Sequence, residues 1–297
     1  MAEITCVLDA CSIINLIHID EDDFLLKKLK GIDFYLCEEV FKEVEGNVFS
    51  KLGKASDDGF SIKKRKYEID ETLKFYRRCQ VSNDRITHEF KNDFFDHVNR
   101  ISGYKKKNGE FYSACLALFV SRFKPVQSGS IITTKVFFHT DDAPARDAFR
   151  NFFINQQIGH IEDTADLLVL LYRLEDSDTF NEKDLERYLS SLFQEYALEV
   201  TLLKRKLKAI REGFSLAQRK KEDLVRNIQD LIYKLDNLDF KSISIHYEYF
   251  KRNKKHHSNL WDVVNSYRSV FDLESNTSDL LAKVKMLTKE IPNIYRL

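Results

Sequence analysis

A chain of 297 residues suffices for one large domain or two modest ones, and 43% apolar with 12% aromatic content is enough to bury a core. Twenty-three Phe against 9 Gly and 3 Pro exclude a disordered chain and a turn-rich all-β architecture. The net charge is zero but unevenly spread: residues 200–297 hold 20 Lys/Arg against 12 Asp/Glu, and residues 1–199 hold 27 against 35. This asymmetry fits a cation-collecting site beside a phosphate-attracting surface, or equally two complementary faces that pack together.

Taken in order, residues 4–9 (Ile-Thr-Cys-Val-Leu-Asp) form a short apolar run closed by a polar turn, which predicts a buried strand. Asp9 stands at the carboxyl end of that strand, where parallel α/β sheets keep their sites. A turn-forming carboxylate explains it equally well. Ser12 is placed to cap a short helix over 13–17. A helical turn or two over 20–29, a second strand over 32–37 and a short helix over 38–45 follow, with Gly46 as its stop.

Residues 47–108 differ in character. Between 51 and 107 there are 15 Lys/Arg and 9 Asp/Glu, with Lys63, Lys64 and Arg65 in one run and Lys105, Lys106 and Lys107 in another. Phe60, Tyr67, Phe75, Tyr76, Phe94, Phe95 and Tyr104 lie among them. Helices are predicted over 67–79 and 84–101. Basic residues between aromatics suit a nucleic-acid groove; a helical hairpin with its rings inward and its charges solvated accounts for the same pattern.

A helix opens at Asn108-Gly109-Glu110, with Phe111, Ala114, Cys115, Leu118 and Phe119 as its apolar stripe. Glu110 in the first turn also suits the helix dipole. After a turn over 124–130, residues 131–139 read as a strand ending in Thr140-Asp141-Asp142. A helix begins near Pro144. A short strand over 158–161 and amphipathic helices over 163–174 and 181–192 complete an alternation that implies a parallel sheet covered on both faces. From residue 195 the strand signals stop. Apolar residues recur at helical spacing over 198–210 and 224–235, predicting long helices, an antiparallel pair or a coiled coil, and a final helix runs over 260–291. The five cysteines form no CxxC pair. With an amino terminus that enters a strand directly and no apolar stretch of membrane-spanning length, they point to a reducing, cytoplasmic setting with no membrane attachment.

Asp9, Glu43, Glu110 and Asp142 stand out together: two end strands and two lie on helices that begin near the same sheet edge. Carboxylates gathered that closely raise one another's pKa, and a divalent cation removes the conflict. Oxygen-rich sites suit Mg2+ or Mn2+.

The order Leu8-Asp9-Ala10-Cys11-Ser12, Val40-Phe41-Lys42-Glu43-Val44, Gly109-Glu110, and Thr140-Asp141-Asp142 with Arg146 resembles the PIN-domain nucleases. The resemblance covers residues 1–195, with a helical basic insertion over about 47–108. Residues 196–297 are a helical extension outside it. It implies an α/β fold, a three-layer α/β/α arrangement around a central parallel sheet. It further implies that Asp9, Glu43, Glu110 and Asp142 hold Mg2+ or Mn2+, directly or through water, with Asp141 as a fifth acid. Ser12 would support the first aspartate, and Thr140 matches the threonine of the family's Thr-x-Asp motif. Glu39, one turn before Glu43, rivals it. Arg146, Lys63, Lys64, Arg65, Lys105 and Lys106 are the candidate phosphate contacts. The implied activity is metal-dependent hydrolysis of phosphodiester bonds, in RNA first. By analogy with the family's toxins, the setting would be a bacterial toxin or phage-defence effector held in check by a partner. The carboxy-terminal helices suit a protein partner or self-association. A structure-selective DNA nuclease with the same acids, and a nucleic-acid-binding or scaffold module with an inactive site, are the alternatives.

Overall fold

A computed structural model describes residues 4–20, 22–57, 66–90, 93–123, 134–271 and 276–296. The elements of the first part are β1 (Thr5–Leu8), α1 (Ala10–Ile19), α2 (Phe24–Leu29), β2 (Asp33–Cys37), α3 (Glu38–Asp57), α4 (Lys66–Arg78), β3 (Gln80–Val81), α5 (Asn83–Phe90), α6 (Phe94–Ser102), α7 (Gly109–Phe123), β4 (Val136–His139), α8 (Ala143–Asn155), β5 (Gly159–Glu162), α9 (Thr164–Leu174) and α10 (Glu182–Tyr196). They are followed by α11 (Leu198–Glu212), α12 (Leu216–Arg219), α13 (Glu222–Asp236), α14 (Ser244–Arg252), α15 (Ser258–Ser266), α16 (Arg268–Phe271) and α17 (Asn276–Glu290).

The strands form one five-stranded sheet in the order β3-β2-β1-β4-β5, and every pairing is parallel. β1 is central, and Cys6, Val7 and Leu8 are fully buried. A strand covered on both faces has no use for alternation, which is why this run is apolar throughout. α7 packs across β1, β2 and β4, and its apolar residues Phe111, Ala114 and Cys115 are fully buried. α8 packs on β5 and α9 on β4. The result is an α/β fold consistent with three layers. The chain leaves β1 for β2 and β3 on one side and then returns to β4 on the other. The order therefore reverses between β1 and β4, the position at which open α/β sheets form a crevice at their carboxyl ends.

Several boundaries differ from those expected. α3 does not stop at Gly46 but continues to Asp57. Its helical periodicity carries buried Val40, Val44 and Val48 through that position, and one glycine in a helix costs only about 1 kcal/mol. The helix expected over 84–101 is instead α5 and α6. β3, two residues long, was unforeseen, because so short a strand has no periodicity to read. The expected turn over 124–130, and the first residues of the strand expected over 131–139, lie outside the described residues.

The chain divides into two compact units, residues 1–192 with 290–297, and residues 193–289. The second is helical, with a core that includes Leu203, Leu207, Ile228, Leu231, Phe250 and Val264. In it α11 and α13 pack together, and Lys204 and Lys208 reach Asp236 at 2.8 and 3.3 Å. Each helix has 15 residues, about two heptads and fewer than the three or four of a sustained coiled coil. The single helix expected over 260–291 is broken into α15, α16 and α17. Residues 290–297, expected to be part of the extension, belong to the first unit. There the Arg296 guanidinium lies 4.1 Å from the Tyr172 ring centre and donates to the carbonyls of Tyr172, Glu175 and Phe180. Among the described residues, no helix is long and apolar enough to cross a membrane.

Candidate active site

The Asp9 N–H donates to the carbonyl of His139, the last residue of β4, at 3.0 Å, which carries the β1–β4 pairing one residue past the end of β1. Asp9 is thereby fixed at the crevice. Its backbone is the N-cap of α1, yet its side chain does not cap the helix. The carboxylate turns toward the end of β4, where Oδ2 accepts from the Thr140 hydroxyl at 2.8 Å and from the Cys11 thiol at 3.1 Å. The same Thr140 hydroxyl accepts from the Asp142 N–H at 3.2 Å. One hydroxyl thus joins the first acid to the backbone of the last. Asp142 caps α8, accepting from the Ala145 N–H at 2.8 Å, and so places a carboxylate at a helix N-terminus where the dipole favours it. Arg146, one turn on, donates to the Thr140 carbonyl at 2.7 Å.

Glu43 projects from α3, which begins directly after β2, and its Oε1 accepts from the Gly109 N–H at 3.3 Å. A Cβ at Gly109 would stand 3.1 Å from both Glu43 oxygens, so the absence of a side chain there makes room for the carboxylate. Glu110, the next residue, enters from the first turn of α7.

The electrostatics tie these four residues together. Burial pushes Asp9 up to about 6, with Glu43 adding to the rise and hydrogen bonds from Cys11, Thr140 and the Ala10 N–H opposing it. Burial, then Asp9, Asp142 and Glu43, carry Glu110 up to about 7 against the pull of its own backbone N–H. Glu43 is raised by burial and by Glu39, and held down by the Gly109 N–H. Asp9 is 2% exposed, and its Oδ1 is buried with no hydrogen-bond partner; Glu110 Oε2 is in the same condition. Buried carboxylate oxygens without a donor are costly and call for a cation or a proton.

Two residues make contacts other than those the resemblance implies. Asp141, expected as a fifth acid of the site, is buried below it. Its oxygens accept from Asn15 Nδ2 at 2.7 Å, from the Thr164 N–H at 2.9 Å and from the Thr164 hydroxyl at 2.8 Å. It joins α1 to α9. Ser12, expected to cap a helix at residue 13 and to support Asp9, lies inside α1, which starts at Ala10. It donates instead to the His139 carbonyl at 3.2 Å and accepts from the Thr164 hydroxyl at 2.9 Å. Cys11 makes the contact with Asp9 that Ser12 was expected to make; a weak thiol donor in an apolar run gave the sequence no polar signal. Glu39 Oε1 accepts from Asn83 Nδ2 at 2.7 Å, its Oε2 is buried without a hydrogen-bond partner, and its charge acts on Glu43. The charges that act on Glu110 come from Asp9, Asp142 and Glu43. Lys105 and Lys106 are exposed on the segment just before Glu110. Lys63, Lys64 and Arg65 lie outside the described residues.

Among the described residues, no three Cys, His, Asp or Glu side chains already stand close enough to hold a metal ion. The donor set nonetheless fits a hard divalent cation: all-oxygen, anionic, and with the unpaired oxygens Asp9 Oδ1 and Glu110 Oε2. Compared with protein-family models, curated proteins and solved structures, the chain matches none.

Proposed function

We propose that the chain is a PIN-like nuclease, a Mg2+- or Mn2+-dependent phosphodiesterase acting on RNA, with Asp9, Glu43, Glu110 and Asp142 as its acids. The observation that carries this reading is the joining of Asp9 and Asp142 through the Thr140 hydroxyl at the sheet's carboxyl end, with one oxygen each of Asp9 and Glu110 buried and unpaired; burial and the neighbouring acids raise both groups. A packing role would not gather like charges there. The ordered motifs of the sequence support the same reading.

Asp9, Glu110 and Asp142 would hold the cation, with Glu43 at its flank. Such a cation, when bound, lowers the pKa of water and offsets charge on the leaving oxygen. The residues in contact with the acids do the rest. Thr140 and Cys11 fix the Asp9 carboxylate through one oxygen and leave the other to bind. Gly109 admits Glu43. Arg146, anchored on Thr140, and the exposed Lys105 and Lys106 bring positive charge to a rim that phosphate must cross. The setting we favour is a toxin or phage-defence effector restrained by a protein partner.

The test is cleavage of pooled cellular RNA, single-stranded DNA and duplex DNA in Mg2+, Mn2+ or EDTA, with Asp142→Asn in parallel. RNA cleavage that needs the metal and falls at least about 100-fold in the variant is expected. Cleavage of DNA alone would transfer the site to a DNA nuclease. No cleavage of any substrate would overturn the reading.

A further inference from the structure

The segment between α6 and α7 holds one side chain more firmly than a surface loop requires. Gly103 closes α6 at φ 70°, a left-handed conformation suited to glycine, and its N–H donates to the Asn99 carbonyl at 3.1 Å. Tyr104 follows. Its N–H donates to Ser102 Oγ at 3.3 Å, and its carbonyl accepts from Asn99 Nδ2 at 2.6 Å. Its ring lies 4.6 Å, centre to centre, from Phe149 on α8. Its hydroxyl accepts from Asn108 Nδ2 at 3.4 Å. Backbone, ring and hydroxyl are therefore each fixed by a different residue, in a side chain that is only half-buried.

The hydroxyl is fixed by the residue that precedes Gly109. Asn108 and Glu110 flank Gly109, whose N–H meets Glu43, and Phe149 belongs to the helix that Asp142 caps. A phenol is protonated at neutral pH and so available as a donor; burial, with the charges of Glu110, Asp142 and Asp9, raises its pKa further against the Asn108 hydrogen bond. Among the described residues, no acceptor takes that proton, and Asn108 Oδ1 is buried without a partner. A phosphodiester that approaches four carboxylates needs donors that add no charge competing with the cation, and a phenol is one.

We propose that Tyr104 contacts the substrate of this site, its hydroxyl donating a hydrogen bond to a phosphate oxygen of the nucleic-acid strand, and that Asn108 is the positioning residue that aims it. This rests on the nuclease reading given above. Preorganisation of this kind is what converts a rim residue into one that acts on the reaction: a donor already aimed needs no reordering when the substrate arrives.

The experiment measures kcat and KM for the full chain, Tyr104→Phe, Asn108→Ala and the double variant on a fluorescent mixed-sequence RNA oligonucleotide and its DNA counterpart in Mn2+. Thermal midpoints are measured alongside. Tyr104→Phe keeps the ring and its packing on Phe149, and a fall in kcat of about 100-fold with an unchanged midpoint is expected. Asn108→Ala should fall less, and the double variant should match Tyr104→Phe alone, because an aiming residue has nothing left to aim. Wild-type kinetics in Tyr104→Phe would overturn the assignment of Tyr104 and leave the nuclease reading standing. Additive losses in the double variant would overturn the role of Asn108. A wild-type chain that cuts neither oligonucleotide would overturn the nuclease reading, and this inference with it.

Discussion

Asp9 is a carboxylate kept at 2% exposure with one oxygen unpaired, and its raised pKa has a thermodynamic consequence. Its ordinary value is 3.8 and its folded value about 6. Below pH 4 it is protonated whether the chain is folded or not, and the fold bears no penalty. Between pH 4 and 6 the unfolded chain gives up this proton while the folded one keeps it, so stability falls by about 3 kcal/mol, and above 6 the folded form carries the buried charge. Glu110, raised to about 7, acts in the same direction. In EDTA, Asp9→Asn should therefore show a flatter dependence of melting temperature on pH between 4 and 7 than wild type. It should equal or exceed wild-type stability at pH 8 while losing activity. Mn2+ should stabilise the wild type more at pH 8 than at pH 5. Parallel pH curves for the two proteins would exclude the buried charge. Asp141 is the contrasting case. Its bonds to Asn15 and Thr164 are native structure, so Asp141→Ala should cost about 3 kcal/mol by urea denaturation, since buried donors lose their acceptor. Asp141 and its neighbour Asp142, both expected in the metal site from sequence, thus make different contacts: Asp142 caps α8 and Asp141 bonds Asn15 and Thr164. Only the direction of the turn after β4 separates them, and no sequence pattern encodes that direction.

The elements show which parts of the site can be read in advance. Asp9 and Asp142 were legible because strand ends and helix caps announce themselves by composition: an apolar run, then an acid, then a capped helix. Glu110 was legible through the helix it opens. Glu43 was less so, because Glu39 on the same helix has equal claims in the sequence and keeps a buried unpaired oxygen in the fold, where Gly109 meets Glu43. That meeting is a property of two elements together. Gly109→Ala tests it directly. Alanine suits a helix start, so stability should change by less than about 1 kcal/mol. The new methyl group, 3.1 Å from the carboxylate oxygens, should move Glu43 aside and lower activity about 10-fold, with a matching loss of Mn2+ affinity by calorimetry. Wild-type affinity in that variant would remove Glu43 from the site. Cys11 and Asn108 were illegible as candidate site residues for a related reason, and Tyr104 was legible only as one of seven aromatics in the basic segment. Each is ordinary in its own segment and acquires a role only when α6, α7, α8 and β4 converge.

At the scale of the whole molecule, the alternation of strands and helices was enough to predict the parallel sheet, and the loss of strand signals marked the second unit near its observed start at residue 193. The return of residues 290–297 to the first unit was not foreseeable, because a few residues after a helix carry no pattern of their own. Arg296 is what holds them. It satisfies three carbonyls around the end of α9 and stacks on Tyr172. Arg296→Ala should destabilise the first unit by about 2 kcal/mol in urea, whereas Lys should recover only part of the loss, having no planar fork. This contact also bears on how the protein is made. The residues that clasp Tyr172, Glu175 and Phe180 are separated from them in the chain by the entire second unit, residues 193–289. On the ribosome, the acid-bearing unit can assemble its sheet early. It cannot fasten that clasp until every residue of the other unit has been synthesised, so completion of the first unit is timed by translation of the second.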